Sequence, residues 1–325
     1  MGVRKNQKSL SAQERQRFAA AVDRMKSTGV YDQFVQWHLD AMGNMGPNDP
    51  NYAHQGPAFL PWHRLFLVLF EQDLQAADAA LGQDGTITLP YWDWTSETSP
   101  DPQVNPLWAD DFLGPDGDPN DGQRVKSGPF ATVTTPGQEH WVLRVHDPMD
   151  NEPVNFLQRS FGQIPQAATL PADAQVRDAL AVGVYDSEPW DTNVPGERSF
   201  RNLLEGWVTI NPPGQDPGMH NRVHVWVGGS MLPMSSPNDP VFFLNHCNVD
   251  RIWGSWQALH PEADQFPPSH GAAQIGHNRE DVMVPWDGRN DPRPGHAGGT
   301  LPRSTPMDVL NLSSLNYSYD SLITL

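Results

Sequence analysis

The 325-residue sequence predicts a mainly α fold in which four or five helices form the core and carry long irregular connections. Apolar residues recur at helical spacing near the N-terminus and again between about residues 199 and 260. From 95 to about 200 the chain is rich in Pro, Gly, Asp and Asn, and its periodicity is weak. Beyond 261 it again has the pattern of loops and a few short strands. Connections this long need a functional or scaffolding reason in a compact protein.

The first three helices are predicted from their ends and their apolar faces. In LSAQERQRFAAAVDRMKSTG, Ser11 is followed three residues later by Glu14, which is a capping box. The second helix, VYDQFVQWHLDAM, has His38 in its last turns. Pro61 opens the third, PWHRLFLVLFEQDLQAADAAL, at a position that proline favours. Its wide apolar face predicts a central helix, and ITLPYWDW at 87–94 is predicted to be a short buried segment.

Three further helical patterns lie in the second half of the chain. They are SFRNLLEGW at 199–207, HNRVHVWV at 220–227 and DPVFFLNHCNVDRIWGSWQALH at 239–260. Periodicity weakens after each of them, so we expect loops between these helices.

Charge and cysteine content exclude several classes of protein. The chain has 39 acidic and 21 basic residues, a formal charge of −18 and a pI of about 4.9, which argues against nucleic acid or an anionic membrane as a partner. The longest apolar run, LFLVLF, is too short to span a membrane. A single cysteine, Cys247, permits neither an internal disulfide nor a cysteine-based metal site.

The N-terminal segment predicts where the protein is made. Basic residues in MGVRKNQKSLSAQERQRF are not followed by an apolar stretch, so the segment is not a signal peptide. We therefore expect synthesis in the cytoplasm. Export would need the help of another protein or a leader that lies outside this sequence.

Two histidines in MHNRVHVW suggest a metal site. His220 and His224 are four residues apart, so on a helix they share one face and their imidazoles can converge on one ion. Two polar residues on a solvated face are the alternative, but the flanking sequence is apolar and unpaired buried imidazoles are costly. Zinc peptidases place a glutamate after the first histidine of this pair, whereas this chain has Asn221.

A third ligand for that site is available on the next helix. His246 follows His224 by 22 residues, after the turn SSPNDP, and an adjacent helix would bring it close. Asp250, one helical turn further on, is predicted either to orient a ligand histidine or to form a salt bridge.

A second set of histidines lies in the N-terminal half. His38 is on one helix, His63 is on the next, and His54 lies in the loop between them. Two all-histidine sets favour Cu, Zn, Fe or Ni over Mg or Ca. The absence of a carboxylate from both sets argues against non-haem iron and di-iron carboxylate sites. Neutral ligands suit reduced copper, which transfers electrons to O2.

The remaining histidines are predicted to have ordinary surface or hydrogen-bonding roles. They are His140, His146, His260, His270, His277 and His296.

The two histidine regions closely resemble the two copper-binding regions of tyrosinases, the type 3 copper phenol oxidases, and are most similar to bacterial, actinobacterial members. The resemblance rests on FLPWHRLFLVLFEQDL with its upstream histidines and on HNRVHVWVGG…SPNDPVFFLNHCNVDRIW, and it spans about residues 30–95 and 195–260. It implies a single catalytic domain over residues 1–325, folded as a four-helix bundle around a dinuclear copper site. The implied ligands are His38, His54 and His63 for the first copper and His220, His224 and His246 for the second.

The resemblance also implies an activity and the residues that assist it. Phenols would be hydroxylated at the ortho position by O2, and o-diphenols would be oxidised to o-quinones. Asn221 and Glu205 correspond to a pair that holds a water molecule near the copper, where a base would help a phenol of pKa near 10 to bind as phenolate. Val225 matches a position at the substrate entrance, and Phe242 matches one that packs near the site.

Residues near the two ends of the chain extend the resemblance. Arg4 and the pair Tyr317 and Tyr319 are similar to an arginine and tyrosine motif that meets by cation–π contact. Tyr52 stands two residues before His54, where fungal and plant relatives have the cysteine of a thioether, so that bond cannot form here. Cys247 is predicted to be a packed core thiol.

Several alternatives stay open at this point. The link at 206–219 is longer than we expect in small bacterial tyrosinases, which puts the role of Glu205 in question and admits a narrower o-aminophenol or catechol oxidase. A haemocyanin-like O2 binder or a copper protein without turnover would use the same histidines. Similar bacterial proteins receive copper from a dedicated partner protein, and we expect the same arrangement here.

Overall fold

The computed structural model describes residues 2–43, 50–190, 198–208, 217–286 and 303–325. Within these ranges the chain forms seven α-helices and two short strands. In chain order they are β1 Gly2–Arg4, α1 Ala12–Ser27, α2 Val30–Ala41, α3 Phe59–Ala80, α4 Asp173–Leu180, α5 Phe200–Glu205, α6 Met219–Val227, α7 Val241–Leu259 and β2 Tyr317–Tyr319. Short 3-10 helices lie at Gln7–Ser9, Pro106–Trp108, Pro165–Ala167, Gly229–Met231, Ser236–Asn238, Pro306–Val309 and Leu312–Leu315.

The predicted mainly α fold is confirmed, with small corrections at the helix ends. The capping box of α1 is present, because the Ser11 hydroxyl accepts from the Glu14 N–H and the Glu14 carboxylate accepts from the Ser11 N–H. Helix α3 begins at Phe59, so Pro61 is its third residue and still belongs to the first turn, where its missing N–H costs nothing. Helix α4 was not predicted, because its eight residues lie within the loop-rich stretch.

Helices α3 and α7 form the centre of the molecule. Helix α3 packs against both α1 and α7, while α6 packs against α7. Both central helices are buried on most sides, which requires their charged groups to be paired. Arg64 on α3 accordingly pairs with Asp250 on α7, and Glu71 on α3 pairs with Arg4. Helices α2, α3, α6 and α7 together surround the predicted metal site.

The two ends of the chain meet beside this core. Strands β1 and β2 pair in parallel, with Arg4 opposite Tyr319. The long connection between α3 and α5 covers the bundle and contributes buried aromatic residues such as Trp92, Trp108 and Trp141. Across the described ranges, no helix has the length and hydropathy that a membrane span requires.

Candidate metal centre

Four helices and one loop bring the six predicted histidines together. His38 lies in the last turn of α2, and His63 in the first two turns of α3. Helix α6 carries a pair and α7 carries one, while the sixth lies in the loop before α3. The histidines form two triads, and within each triad the candidate ligand atoms lie within 4.8 Å of one another. The triads are His38, His54 and His63, and His220, His224 and His246.

The two triads adjoin, as a dinuclear site requires. The rings of His63 and His246 stack with their centroids 4.1 Å apart and their planes 12° from parallel. The ring centroids of His54 and His220 are 6.1 Å apart. Within the second triad, Nε2 of His220 and Nε2 of His246 are 3.1 Å apart, close to the ~3.3 Å expected for two imidazoles on one tetrahedral ion.

Three of these rings are oriented by a backbone carbonyl alone. Nδ1 of His38 contacts the carbonyl oxygen of Met234 at 2.6 Å, and Nδ1 of His63 contacts that of Phe59 at 2.8 Å. His224 makes the same contact with Met231 at 2.8 Å. A carbonyl oxygen only accepts, so each Nδ1 carries the proton and each Nε2 keeps its lone pair. Those Nε2 atoms are buried without a hydrogen-bond partner, which is the arrangement of a metal ligand.

Burial keeps all six imidazoles neutral. Loss of hydration lowers the pKa of His38 and of His224 to about 4. Burial, followed by the proximity of the other histidines, holds the pKa of His54, His63 and His246 well below the usual value, and His220 behaves in the same way. Neutral nitrogen donors in two adjacent groups of three therefore fit two copper ions.

Two phenylalanines shield the rings. Phe242 packs on His246 with centroids 4.2 Å apart and on His38 at 5.1 Å, so it lies against rings of both triads. Phe59 packs at 4.9 Å from both His63 and His220, and sequence reasoning missed it. The available signal was the repeated pattern F-x-x-x-H, which occurs in FLPWH and in FFLNH and places each phenylalanine one turn before a ligand candidate.

The structure brings Glu205 and Asn221 to the same ring. Nδ1 of His220 lies 3.2 Å from the backbone carbonyl oxygen of Glu205 and 3.0 Å from the side-chain oxygen of Asn221. Both acceptors favour the tautomer with the proton on Nδ1, which leaves the lone pair on Nε2. The Glu205 carboxylate is fully buried, and its Oε1 accepts from the Gln55 N–H at 2.7 Å.

A buried ion pair holds the other oxygen of that carboxylate. Arg201 donates to Glu205 Oε2 at 3.0 Å and to Asp186 at 2.7 Å, and Ser199 also donates to Asp186. Burial raises the pKa of Glu205, and the Arg201 charge and the Gln55 N–H oppose the rise. Sequence reasoning missed Arg201 and Asp186, because nothing in the spacing of 186 and 201 marks the two as partners.

Val225 and the link at 206–219 lie on the proposed substrate side of the site. Val225 is half-buried on α6, next to His224. The predicted link at 206–219 is described only at its ends, since 209–216 lie outside the described residues. Those ends meet, because the Gly218 N–H donates to the Gly206 carbonyl at 2.9 Å. Gly206 has a φ of +100°, and a Cβ there would lie 2.2 Å from the Gly218 oxygen, so glycine is required.

A buried polar cluster joins the chain ends to α7. Asp250 accepts from Arg64 at 2.5 Å and from the Tyr317 hydroxyl at 2.6 Å. The guanidinium carbon of Arg4 lies 3.6 Å from the ring centroid of Tyr317 and 6.0 Å from that of Tyr319. The predicted cation–π contact is thereby confirmed, and Asp250 proves to be a salt-bridge partner.

The free cysteine and the histidines outside the two triads have structural roles in the described residues. Cys247 is a buried free thiol, and burial raises its pKa to about 12, as expected for a packed core residue. His140 and His260 bond to backbone carbonyls, which confirms ordinary roles. His277 is completely buried and bonds two parts of one loop. His296 lies outside the described residues.

Comparison with known proteins agrees with this geometry. The family model for the common central domain of tyrosinase matches residues 28–259. The chain belongs to the tyrosinase family. It is 42% identical over 287 residues to a tyrosinase of Streptomyces antibioticus, a match that covers 88% of this chain and 93% of that protein. It is 38% identical over 342 residues to the grixazone synthase of Streptomyces griseus, with 98% and 99% covered.

The fold is shared with solved structures of lower identity. A mutant form of a polyphenol oxidase from Thermothelomyces thermophila superposes with a TM-score of 0.67 at 22% identity, and the match covers 99% of this chain and 89% of that one. Membership of the family accounts for the two histidine triads, which fit the two copper ions of a type 3 site with O2 as co-substrate.

Proposed function

We propose that this protein is a copper- and O2-dependent phenol oxidase that hydroxylates monophenols at the ortho position and oxidises o-diphenols to o-quinones. The observation that carries the proposal is the pair of adjoining histidine triads, in which the Nε2 atoms of His38, His63 and His224 are buried without a hydrogen-bond partner, in a chain of the tyrosinase family. We assign the first copper to His38, His54 and His63 and the second to His220, His224 and His246.

The copper pair supplies the binding of O2 and the exchange of electrons with the phenol. The protein positions the ligands and excludes water. Carbonyl acceptors fix the rings of three histidines, so little reorganisation is needed when metal binds. Phe59 and Phe242 cover the rings with apolar surface, which lowers the local dielectric and strengthens the electrostatic contacts inside.

Glu205 and Asn221 are proposed to handle the phenol proton. A phenol has a pKa near 10, so a base beside the metal favours binding as phenolate. Burial raises the pKa of Glu205, which makes its carboxylate a better proton acceptor than an exposed one. A carboxylate can accept more hydrogen bonds than those from Gln55 and Arg201, so we propose that this group holds a water molecule between itself and Asn221.

Val225 and Phe242 are proposed to shape the substrate pocket. Val225 follows a proposed ligand on α6 and is half-buried, so its side chain is able to limit access to the second copper. Phe242 lies against rings from both triads, with centroids 5.1 Å from His38 and 5.8 Å from His224. A phenol ring that enters between the triads would meet this apolar face.

A narrower activity is the second candidate. The grixazone synthase relative matches nearly its whole length and nearly all of this chain, so a sequence of this kind is also found under a name other than tyrosinase. An o-aminophenol or catechol oxidase would keep both copper sites and lack useful monophenol hydroxylation. A haemocyanin-like O2 binder is a weaker candidate, because the Streptomyces antibioticus and Streptomyces griseus relatives, which each match most of this chain, are named as enzymes.

The partners and location remain proposals drawn from the sequence. The net charge of −18 disfavours nucleic acid and anionic membranes, and the substrate is a small phenol. We propose that a copper-loading partner protein assists assembly. We also propose synthesis in the cytoplasm, followed by secretion with the help of that partner.

Replacement of one ligand tests the assignment. His220→Ala should abolish O2 consumption with a catechol, because the second copper loses a donor whose orientation two acceptors fix. His260→Ala is the matched control, since His260 also bonds to a backbone carbonyl, that of Leu180, and belongs to neither triad. Wild-type oxidation rates in the His220 variant would refute the ligand set.

A further inference from the structure

His54 differs from the other five proposed ligands in the structural element that carries it. The other five lie on helices, whereas His54 lies in the loop that precedes α3. Its Nδ1 is buried and has no hydrogen-bond partner in the described part of the chain. Neither a helix nor a ring hydrogen bond at Nδ1 therefore positions this imidazole, and its place depends on what holds the loop at 51–58.

One side chain from a distant segment holds both ends of that loop. Nε2 of His277 contacts the carbonyl oxygen of Asn51 at 2.5 Å, and Nδ1 of His277 accepts from the Ala58 N–H at 3.1 Å. The two contacts need one donor and one acceptor, which a neutral imidazole supplies in a single tautomer. The His277 ring is completely buried, and burial lowers its pKa to about 4, so it is neutral at physiological pH.

The loop at 51–58 and the segment around His277 are packed too closely for a side chain larger than hydrogen at two positions. A Cβ on Gly56 would lie 2.4 Å from Nδ1 of His277. A Cβ on Gly276 would lie 2.3 Å from the Tyr52 ring, and Gly276 has a φ of +92°, which favours glycine. The loop and the segment around His277 therefore approach each other as closely as glycine permits.

The segment that carries His277 is itself fixed by short-range bonds. Asp281 accepts from the Gly276 N–H at 2.8 Å and from the Asn278 side chain at 2.7 Å. Asn278 in turn accepts from the Ala273 N–H at 2.8 Å. A preformed turn at 273–281 thus offers His277 to the loop in a defined position.

We propose that His277 is a positioning residue for the first copper: it clamps the loop at 51–58 and so presets the imidazole of His54. The inference rests on the proposed function, because it assumes that His54 binds copper. It extends that function by assigning a role to a histidine that is not a ligand and to a segment about 220 residues away in sequence.

Loss of the His277 contacts should lower the copper affinity of the first site more than that of the second. The second triad lies entirely on α6 and α7, and its link to the loop is indirect, through the Gln55 N–H bond to Glu205, whose carbonyl contacts His220, so its affinity for copper should depend much less on this clamp. Loss of groups that position a ligand typically lowers metal affinity about 10–100-fold. His277→Leu, which removes both hydrogen bonds, should therefore weaken the first copper site by about that factor and weaken the second much less.

Copper titration of single-site proteins measures this directly. The copper-free protein is titrated with Cu(I) against a chromophoric chelator, in a His220→Ala background that retains the first site and in a His63→Ala background that retains the second. His277→Leu is introduced into each background. His260→Leu is the matched control, because it removes a histidine bond to a carbonyl that belongs to neither triad.

Two further variants distinguish loss of the clamp from a general folding defect. His277→Asn keeps an acceptor near the position of Nδ1 and should cause a smaller loss at the first site than His277→Leu. Gly56→Ala forces the loop away from His277 while the histidine stays intact, and it should also weaken the first site more than the second.

The outcomes separate the inference from the proposed function. Unchanged affinity at the first site in both His277→Leu and Gly56→Ala would overturn the inference, as would equal losses at the two sites or the same loss in His260→Leu. A wild-type protein that binds no copper would overturn the proposed function, and the inference with it.

Discussion

The buried pair formed by Arg201 and Glu205 allows a quantitative prediction. Arg201 is completely buried and is the cation that neutralises two buried carboxylates, Asp186 at 2.7 Å and Glu205 at 3.0 Å. Arg201→Met keeps much of the side-chain volume and removes the charge. Both carboxylates then remain buried without that cation.

The expected loss of stability follows from this uncompensated charge. Removal of one partner of a buried ion pair costs about 3–5 kcal/mol. For a chain of this length, that corresponds to a decrease in Tm of about 4–7 °C. By contrast, Arg177→Met removes the partner of Asp173, an exposed pair on α4 with the same four-residue spacing, and it should cost less than about 1 kcal/mol.

The pH dependence distinguishes charge from packing. Burial already raises the pKa of Glu205, and Arg201 opposes that rise, so the variant raises this pKa further. A carboxyl whose pKa is raised in the folded state contributes most to stability below its unfolded pKa of about 4.3, and that contribution is lost as the pH rises through the folded pKa. The deficit of Arg201→Met should therefore be larger at pH 8 than at pH 5.

Thermal unfolding of the copper-free proteins, followed by circular dichroism at both pH values, measures the deficit. A deficit below about 1 kcal/mol at pH 8 would refute the reasoning. A deficit of the same size at pH 5 and pH 8 would show that lost packing, and not an unpaired charge, is its cause.

Two further predictions concern the site itself. Asn221→Ala removes one of the two acceptors on Nδ1 of His220 and the proposed partner of Glu205. The value of kcat/KM for a monophenol should therefore fall about fivefold or more, which corresponds to the loss of at least one hydrogen bond of ~1 kcal/mol. The value for the matching o-diphenol should fall less. Oxygen-electrode kinetics on both substrates check this, and equal losses would remove the proposed role. The free energy of unfolding of the copper-free protein should decrease as the pH falls from about 6.5 to 4. The reason is that the pKa values of the six imidazoles are lowered in the folded state, so the unfolded chain takes up more protons in this range. Urea titrations across this range, with and without copper, measure the effect, and a flat profile for the copper-free protein would contradict it.

Local patterns in the sequence predicted the helices and most of the candidate site. The capping box at Ser11 and the four-residue spacing of His220 and His224 are properties of neighbouring residues, so they are visible without a structure. The same spacing would have revealed Phe59, which precedes His63 by one turn.

Contacts between distant loop segments were not predictable in this way. His277 bonds to Asn51 and Ala58 across more than 200 residues, and Arg201 pairs with Asp186 in a loop without periodicity. Such pairs are set by how the connections close over the bundle. The sequence around His277 contains only a glycine and an asparagine as signs of a turn.

Oxygen uptake by the copper-loaded protein tests the central claim most directly. It is measured with a monophenol such as tyramine, with the matching catechol and with an o-aminophenol. The account predicts uptake with the catechol, and uptake with the monophenol after a lag. Uptake with only the catechol or the aminophenol would contradict the hydroxylating function and indicate the narrower oxidase. No uptake with any of the three substrates, in protein shown to hold two coppers, would contradict the assignment as a phenol oxidase.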